Sequence, residues 1–119
     1  MTSTKALVNY IIEGIQDKKG HAIVTADLTQ ITSAPCQYFI ICTGNSPQQV
    51  EAIAESIGDS ARIKGGEKPS AVCGLENAEW VAIDYGTVMV HIFLPEKREY
   101  YDLEHLWDDA TLISTPDID

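Results

Sequence analysis

The chain has 119 residues, 45% hydrophobic and 22% charged, an ordinary composition for one compact domain, so disorder is the wrong default except at the ends. At this length roughly two-thirds of the unfolded surface can be buried, enough for one core and not two. The formal net charge of −10 argues against a free-standing DNA or RNA binder, which carries a basic face.

The apolar runs Tyr38–Cys42 and Val88–Leu94 are far shorter than the ~18 residues of a membrane span. The amino-terminal stretch through Lys19 lacks the basic start, apolar core and cleavage site of a secretory signal. Cys36, Cys42 and Cys73 cannot all pair within one chain, and their spacings match neither a zinc site nor a CxxC motif. They are expected as buried, reduced thiols, and a reducing cytoplasm is the expected compartment.

From Ala6 to Lys18, Leu7, Val8, Ile11, Ile12 and Ile15 recur at three- and four-residue steps, predicting a helix capped at Ser3 or Thr4 and stopped by Gly20. His21–Leu28 reads as a short strand and Gln37–Thr43 as a central strand buried on both faces. Ser46, Pro47 and Gln49 form a capping box opening a helix that carries Val50, Ile53, Ala54, Ile57 and Ala61 and ends at Gly65-Gly66. After a loop and a short apolar piece, Ala71–Cys73, come the strands Trp80–Ile83 and Val88–Leu94. The turn Asp84-Tyr85-Gly86-Thr87 joins them, with Gly86 free to take a positive φ. Pro95-Glu96 opens a last helix with Tyr100, Leu103, Leu106 and Trp107 at helical spacing, and Thr111 to Asp119 is expected to fray. The order predicts an α/β chain of the α+β kind, one mixed sheet flanked by helices, with a single domain over residues 1–112 and an acidic tail over 113–119.

The charge is unevenly placed. Residues 76–119 hold eleven acidic residues against Lys97 and Arg98, whereas residues 1–75 hold seven acidic and six basic ones. Six of the nine aromatics share that last third. Exposed Trp and Tyr ringed by carboxylates have the composition of a binding hot spot, and the sign of the charge selects a basic partner. A small basic cluster, Arg62, Lys64 and Lys68, suits marginal contact with phosphate. A basic protein embedded in nucleic acid, such as a ribosomal protein, satisfies both features.

Two enzymatic readings compete with that one. The strand–Gly44-Asn45-Ser46–helix junction has the form of an anion site and of the Gly-Ser turn of nucleotidyltransferases. Those enzymes hold magnesium with paired carboxylates, whereas Asp27 and Asp84 stand singly. Cys42, His91 and Asp84 supply the residue types of a nucleophilic triad, but Cys42 sits within an apolar strand and no nucleophile elbow is present. His91 alternates with Val90 and Ile92 and is expected beside Met89 and Phe93, as a packed or interface histidine without metal. No enzyme, cofactor or metal is therefore expected.

The block Trp80-Val-Ala-Ile-Asp-Tyr-Gly-Thr-Val-Met-Val-His-Ile-Phe93, followed by Arg98-Glu-Tyr-Tyr-Asp-Leu-Glu-His-Leu-Trp107, resembles the ribosomal silencing factor family, RsfS or Iojap. Thr43-Gly-Asn-Ser-Pro-Gln-Gln-Val50 is similar as well, and the resemblance spans roughly residues 5–112; Gln37, where the family usually has Asp, is the one departure. It implies a nucleotidyltransferase-like fold without the catalytic carboxylates. It also implies binding to large-subunit ribosomal protein fourteen, steric blocking of subunit association and repression of translation when nutrients are scarce. A homodimer is implied too. The alternatives kept beside it are a residual nucleotide-binding enzyme and a large-subunit assembly factor. By position, the resemblance places the contact surface on Trp80, Asp84, Tyr85, His91, Arg98, Glu99 and Tyr101. Trp80 and Tyr101 would be the apolar anchors, and Asp84 and Glu99 the partners of lysines or arginines. Arg98 has a second reading, as a lock between hairpin and helix through Asp84 or Glu104.

Overall fold

The computed structural model describes residues 2–106 and 109–117. Helix α1 (Thr4–Asp17) buries Leu7, Val8, Ile11 and Ile15, and the Ser3 hydroxyl caps it by accepting from the Ala6 N–H at 3.1 Å. It ends one turn earlier than Gly20. Lys19 makes the left-handed turn (φ 60°), while Gly20 is required for space, because a Cβ there would lie 2.5 Å from Ile15 Cγ2. Strands β1 (His21–Asp27) and β2 (Tyr38–Thr43) lead into helix α2 (Pro47–Gly65). Ser46 Oγ accepts from Gln49 N–H at 3.1 Å, as the capping pattern predicts. The Gln49 amide turns outward instead of back to Ser46: it accepts from Asn45 N–H and donates to the carbonyls of Lys18 and Lys19, tying α2 to the end of α1. Gly66 closes α2 in the left-handed conformation (φ 65°).

Strands β3 (Ala71–Cys73), β4 (Trp80–Asp84) and β5 (Val88–Phe93) follow, then helix α3 (Pro95–Tyr101), a 3-10 turn (Leu103–His105) and strand β6 (Thr111–Thr115). The six strands form one mixed sheet in the order β3-β4-β5-β2-β1-β6, with β2 and β5 parallel and the other pairs antiparallel. Mixed α/β architecture is thus as the sequence predicts. The Gly86 φ of 85° turns the β4–β5 hairpin. β2 lies between β5 and β1, and from Phe39 to Thr43 every one of its residues is buried.

Helices α1 and α2 cover one face of the sheet. Ile23, Ile40, Cys42, Val81, Ile83, Val88, Val90 and Ile92 point into them. The helices approach closely enough for Ser56 Oγ to donate to Gly14 O and Ser60 Oγ to Tyr10 O, at 2.7 and 2.6 Å. On the opposite face the central residues Ile41 and His91 are buried too. The segment after β1 packs Leu28, Ile31 and Ala34 against Ala26, Phe39 and Met89 at one end, and α3 lies over the other.

Three expectations are corrected. The last helix does not run on to Leu106: Asp102 adopts a left-handed conformation (φ 48°), which aspartate tolerates better than most residues, and its carboxylate engages the His105 ring at 2.6 Å. Trp107 lies outside the described residues. Thr111–Thr115 does not fray but pairs with β1 as an edge strand, anchored just beyond it where Asp117 Oδ1 accepts from Ala22 N–H at 2.9 Å. Cys42 is buried, but Cys36 is half-buried and Cys73 exposed, so only one of the three thiols is a core group.

Identical substitutions should have opposite signs at two glycines. A Cβ on Gly14 would meet Ile57 Cα and Ser56 O at 2.9 Å, so Gly14→Ala should cost about 1–3 kcal/mol despite its better helix propensity. A Cβ on Gly58 meets nothing within 4 Å, so Gly58→Ala should gain about 0.5–1 kcal/mol. Urea unfolding of the two variants against the parent measures both.

Candidate functional site

Strand alternation sends Trp80, Ala82 and Asp84 of β4, Met89, His91 and Phe93 of β5, and Phe39, Ile41 and Thr43 of β2 to the face away from α1 and α2. Trp80 lies directly opposite Phe93, their rings stacked with centroids 5.1 Å apart. His91 neighbours both, at 5.9 Å from Trp80 and 6.1 Å from Phe93. Tyr101, at the end of α3, lies 4.5 Å from Trp80 and 6.3 Å from Phe93, and Tyr100 meets Tyr101 edge-on at 5.0 Å. Trp80, His91 and Tyr101, separated by up to 21 positions in sequence, therefore form one aromatic group. Tyr100 and Tyr101 are exposed and Trp80 is half-buried, so the group presents a surface.

His91 has a defined protonation state. Trp80 Nε1–H can only donate, and it reaches His91 Nδ1 at 3.1 Å, so Nδ1 is the acceptor and the neutral ring carries its proton on Nε2. Burial pushes the ring down to about pKa 4. Its Nε2 is buried and has no hydrogen-bond partner among the described residues.

Arg98 points inward instead of toward solvent. Its Nε donates to Glu104 at 2.7 Å, and its Nη1 donates to Thr43 Oγ1 at 2.9 Å and to Ala22 O. Ala22 sits at an irregularity in β1 with a left-handed φ of 51°. Of the two roles read from sequence, the lock through Glu104 matches this geometry, except that it fastens the helix to β1 and β2 and not to the hairpin.

The remaining predicted residues do not gather on one spot. Asp84 lies four residues along β4 from Trp80, about 13 Å away, and accepts from Gly86 N–H at 2.7 Å within the hairpin turn. Tyr85, one step further, turns to the helix side and packs on that core; burial and then Glu67 push its hydroxyl up to about 12. Glu99 lines a groove with His21, Asp102 and His105, on the other flank of α3 from Tyr101. Sequence reading missed a groove of about 580 Å³ beside Trp80 and Tyr101, lined also by Val72, Leu75, Glu76, Glu79 and Lys97. The acidic excess of the last third pointed there, but the loop over residues 74–79 carries no periodicity to place its side chains.

The enzymatic constellations separate in space. Cys42 faces α1 and α2 with its thiol pushed up to about 12 by burial, while His91 faces the other way and is held by Trp80. Asp27 and Asp84 sit on β1 and β4, three strand spacings or roughly 14 Å apart, too far to share a magnesium ion. At the glycine turn, the N–H groups of Gly44, Asn45 and Gln49 donate to Phe93 O, the Gln49 side chain and Ser46 Oγ. These three donors serve the fold. Among the described residues no cluster of three His, Cys, Asp or Glu side chains has the geometry to hold a metal ion.

Comparison with known proteins gives the family. The family model described as "Ribosomal silencing factor during starvation" matches residues 1–119. The chain belongs to the ribosomal silencing factor (RsfS) family. It is 40% identical over 108 residues to the Bacillus subtilis protein named Ribosomal silencing factor RsfS, covering 91% of this chain and 90% of that one. A crystal structure of protein CV0518 from Chromobacterium violaceum superposes with a TM-score of 0.84 at 36% identity, over 90% of this chain and 88% of that one. A mouse protein named Mitochondrial assembly of ribosomal large subunit protein 1 is 32% identical over 72 residues, which is 59% of this chain and 32% of that one. RsfS membership brings an association with the ribosome.

Two measurements test the geometry of this RsfS surface. The unfolded chain takes up a proton at His91 near pH 6.5, the folded protein only near 4, so stability present above 6.5 is lost as pH falls through that window, by about 3 kcal/mol in total. The difference in unfolding free energy between the parent and His91→Gln should shrink by most of that amount between pH 7 and pH 4.5. Arg98 and Glu104 side chains are only 12% and 19% exposed, so Arg98→Met should cost about 3 kcal/mol by stranding a half-buried carboxylate. Arg98→Lys should not restore it, because one ammonium cannot span three acceptors; thermal unfolding of both variants reads this.

Proposed function

We propose that the protein binds the large ribosomal subunit through the Trp80–Tyr101 surface, contacting large-subunit ribosomal protein fourteen, and acts by binding instead of by catalysis. Occupying that surface would keep the small subunit from joining and so repress translation under nutrient limitation, in the cytoplasm. The single observation that carries this reading is the aromatic group where α3 meets the sheet, in which Trp80 is half-buried and Tyr100 and Tyr101 are exposed. Half-buried Trp beside exposed Tyr supplies large apolar contact area with little side-chain entropy to lose. Glu76 and Glu79 beside it favour a basic partner and would mainly speed and orient encounter.

In this reading Asp84, at the hairpin tip, and Glu99, beyond α3, are outlying charged contacts. His91 orients Trp80, Arg98 positions α3, and Tyr85 belongs to the core side. The basic cluster offers little to RNA, since Arg62 pairs with Asp59 at 3.2 Å and Lys64 with Glu13 at 3.4 Å, leaving Lys68 as the marginal contact.

A second reading, assembly of the large subunit, is favoured by the name of the mouse relative. It shares the partner and differs in outcome. Light scattering of purified subunits distinguishes the two: saturating protein should suppress the signal of subunit joining, and undiminished joining with mature subunits would leave only the assembly role. The double variant Trp80→Ala/Tyr101→Ala should lose at least ~30-fold in affinity for large subunits in co-sedimentation, equivalent to ~2 kcal/mol. Cys42→Ala should bind as the parent does.

A further inference from the structure

Edge strand β3 separates two grooves. Val72 lies in register with Ile83, which faces α2, whereas Cys73 lies in register with Ala82, on the face of Trp80. Val72 and Leu75, both more than 40% exposed, line the groove beside Trp80 and also a second cleft of about 310 Å³ against α2. The second cleft is apolar at its floor, with Ile83 and Tyr85. Gly58 leaves it open, and its charged lining groups are Glu51 and Glu55. The Tyr85 hydroxyl has no hydrogen-bond partner among the described residues. Ala71, Val72 and Cys73 are all exposed, and the outer edge of β3 pairs with no strand among the described residues. These three residues bear none of the charges or prolines that usually blunt a sheet edge.

We propose that β3 is the docking edge for an extended, basic segment of the partner protein, which adds to the sheet as a further strand. Alternate side chains of an added strand point to opposite faces. One set would enter the cleft under Glu51 and Glu55, and the other the groove holding Trp80, Tyr101, Glu76 and Glu79. The lining charges of both grooves together are these four carboxylates and Lys97, which selects lysine- and arginine-rich occupants over acidic ones; Lys68 lines neither. The main-chain bonds of β3 supply affinity for any extended segment, and the carboxylates supply the preference. The identity of that partner as a ribosomal protein rests on the function proposed above.

The test uses the full chain and purified large ribosomal subunits. Amide hydrogen exchange at residues 71–73 should slow when subunits are added. Gly58→Leu, which fills the cleft from an open helical position, and Glu51→Gln/Glu55→Gln, which removes its charge, should each weaken binding roughly tenfold, with melting temperatures no lower than the parent's. Parent-like affinity of both variants with unchanged exchange at 71–73, while Trp80→Ala/Tyr101→Ala still loses binding, overturns the docking edge and spares the function. Absence of binding by the parent protein removes both.

Discussion

Helix α3 carries the residue that completes the aromatic surface, yet none of its seven residues is buried. A helix so short is not stable by itself, and it has no apolar stripe to hold it on the sheet. Its position depends on one guanidinium. Arg98 reaches three acceptors from separate parts of the chain: the Ala22 carbonyl in β1, the Thr43 hydroxyl at the end of β2, and the Glu104 carboxylate beyond the helix. Only a planar, forked cation satisfies three such groups at once. With that clamp in place Tyr101 lies over Trp80. The strained conformation at Ala22 fits the same arrangement, since its N–H and its carbonyl are both taken by groups from the last third of the chain.

The two faces of the sheet divide the work. Toward α1 and α2 the residues are mostly aliphatic and close-packed, and burial holds the Cys42 thiol and the Tyr85 hydroxyl in their neutral forms, which gives stability and no chemistry. Toward the other side the same strands carry rings, one neutral imidazole and few aliphatic groups. His91 belongs to that second face, and the donation it accepts from Trp80 fixes the plane of the indole. Holding a ring in place before a partner arrives lowers the entropy lost on association. The His91 Nε2, without a hydrogen-bond partner among the described residues, is a cost of the arrangement.

Much of the fold was legible because its signals are local. The stripe from Leu7 to Ile15, the Ser46-Pro47 cap and the glycine of the hairpin each act within a few residues, and each gave its element. The sequence period also put His91 on the face of Met89 and Phe93. What was not legible depends on distant partners. Asp102 breaks the last helix because of a conformation stabilised by His105 and the Arg98 clamp, and Thr111–Thr115 is a strand because β1 offers an open edge. The site followed the same rule: Trp80, His91 and Tyr101 converge, while Tyr85 is carried to the opposite side by the alternation that puts Asp84 on the outer one. Family resemblance ranked these residues by position and could not tell a clamp such as Arg98 from a contact.

The pairing of β1 with β6 joins the first strand to the last, and the Ala22–Asp117 bond spans 95 positions. Such closure is entropically late, because most of the chain must be in place before these contacts can form. The layer of α1, α2 and the inner strands rests on contacts of shorter sequence separation and can form first. The edge of β1, and with it the bulge that receives Arg98, stays incomplete until that closure. The seat of Arg98, and through it the position of Tyr101, thus depends on a contact that closes nearly the whole chain.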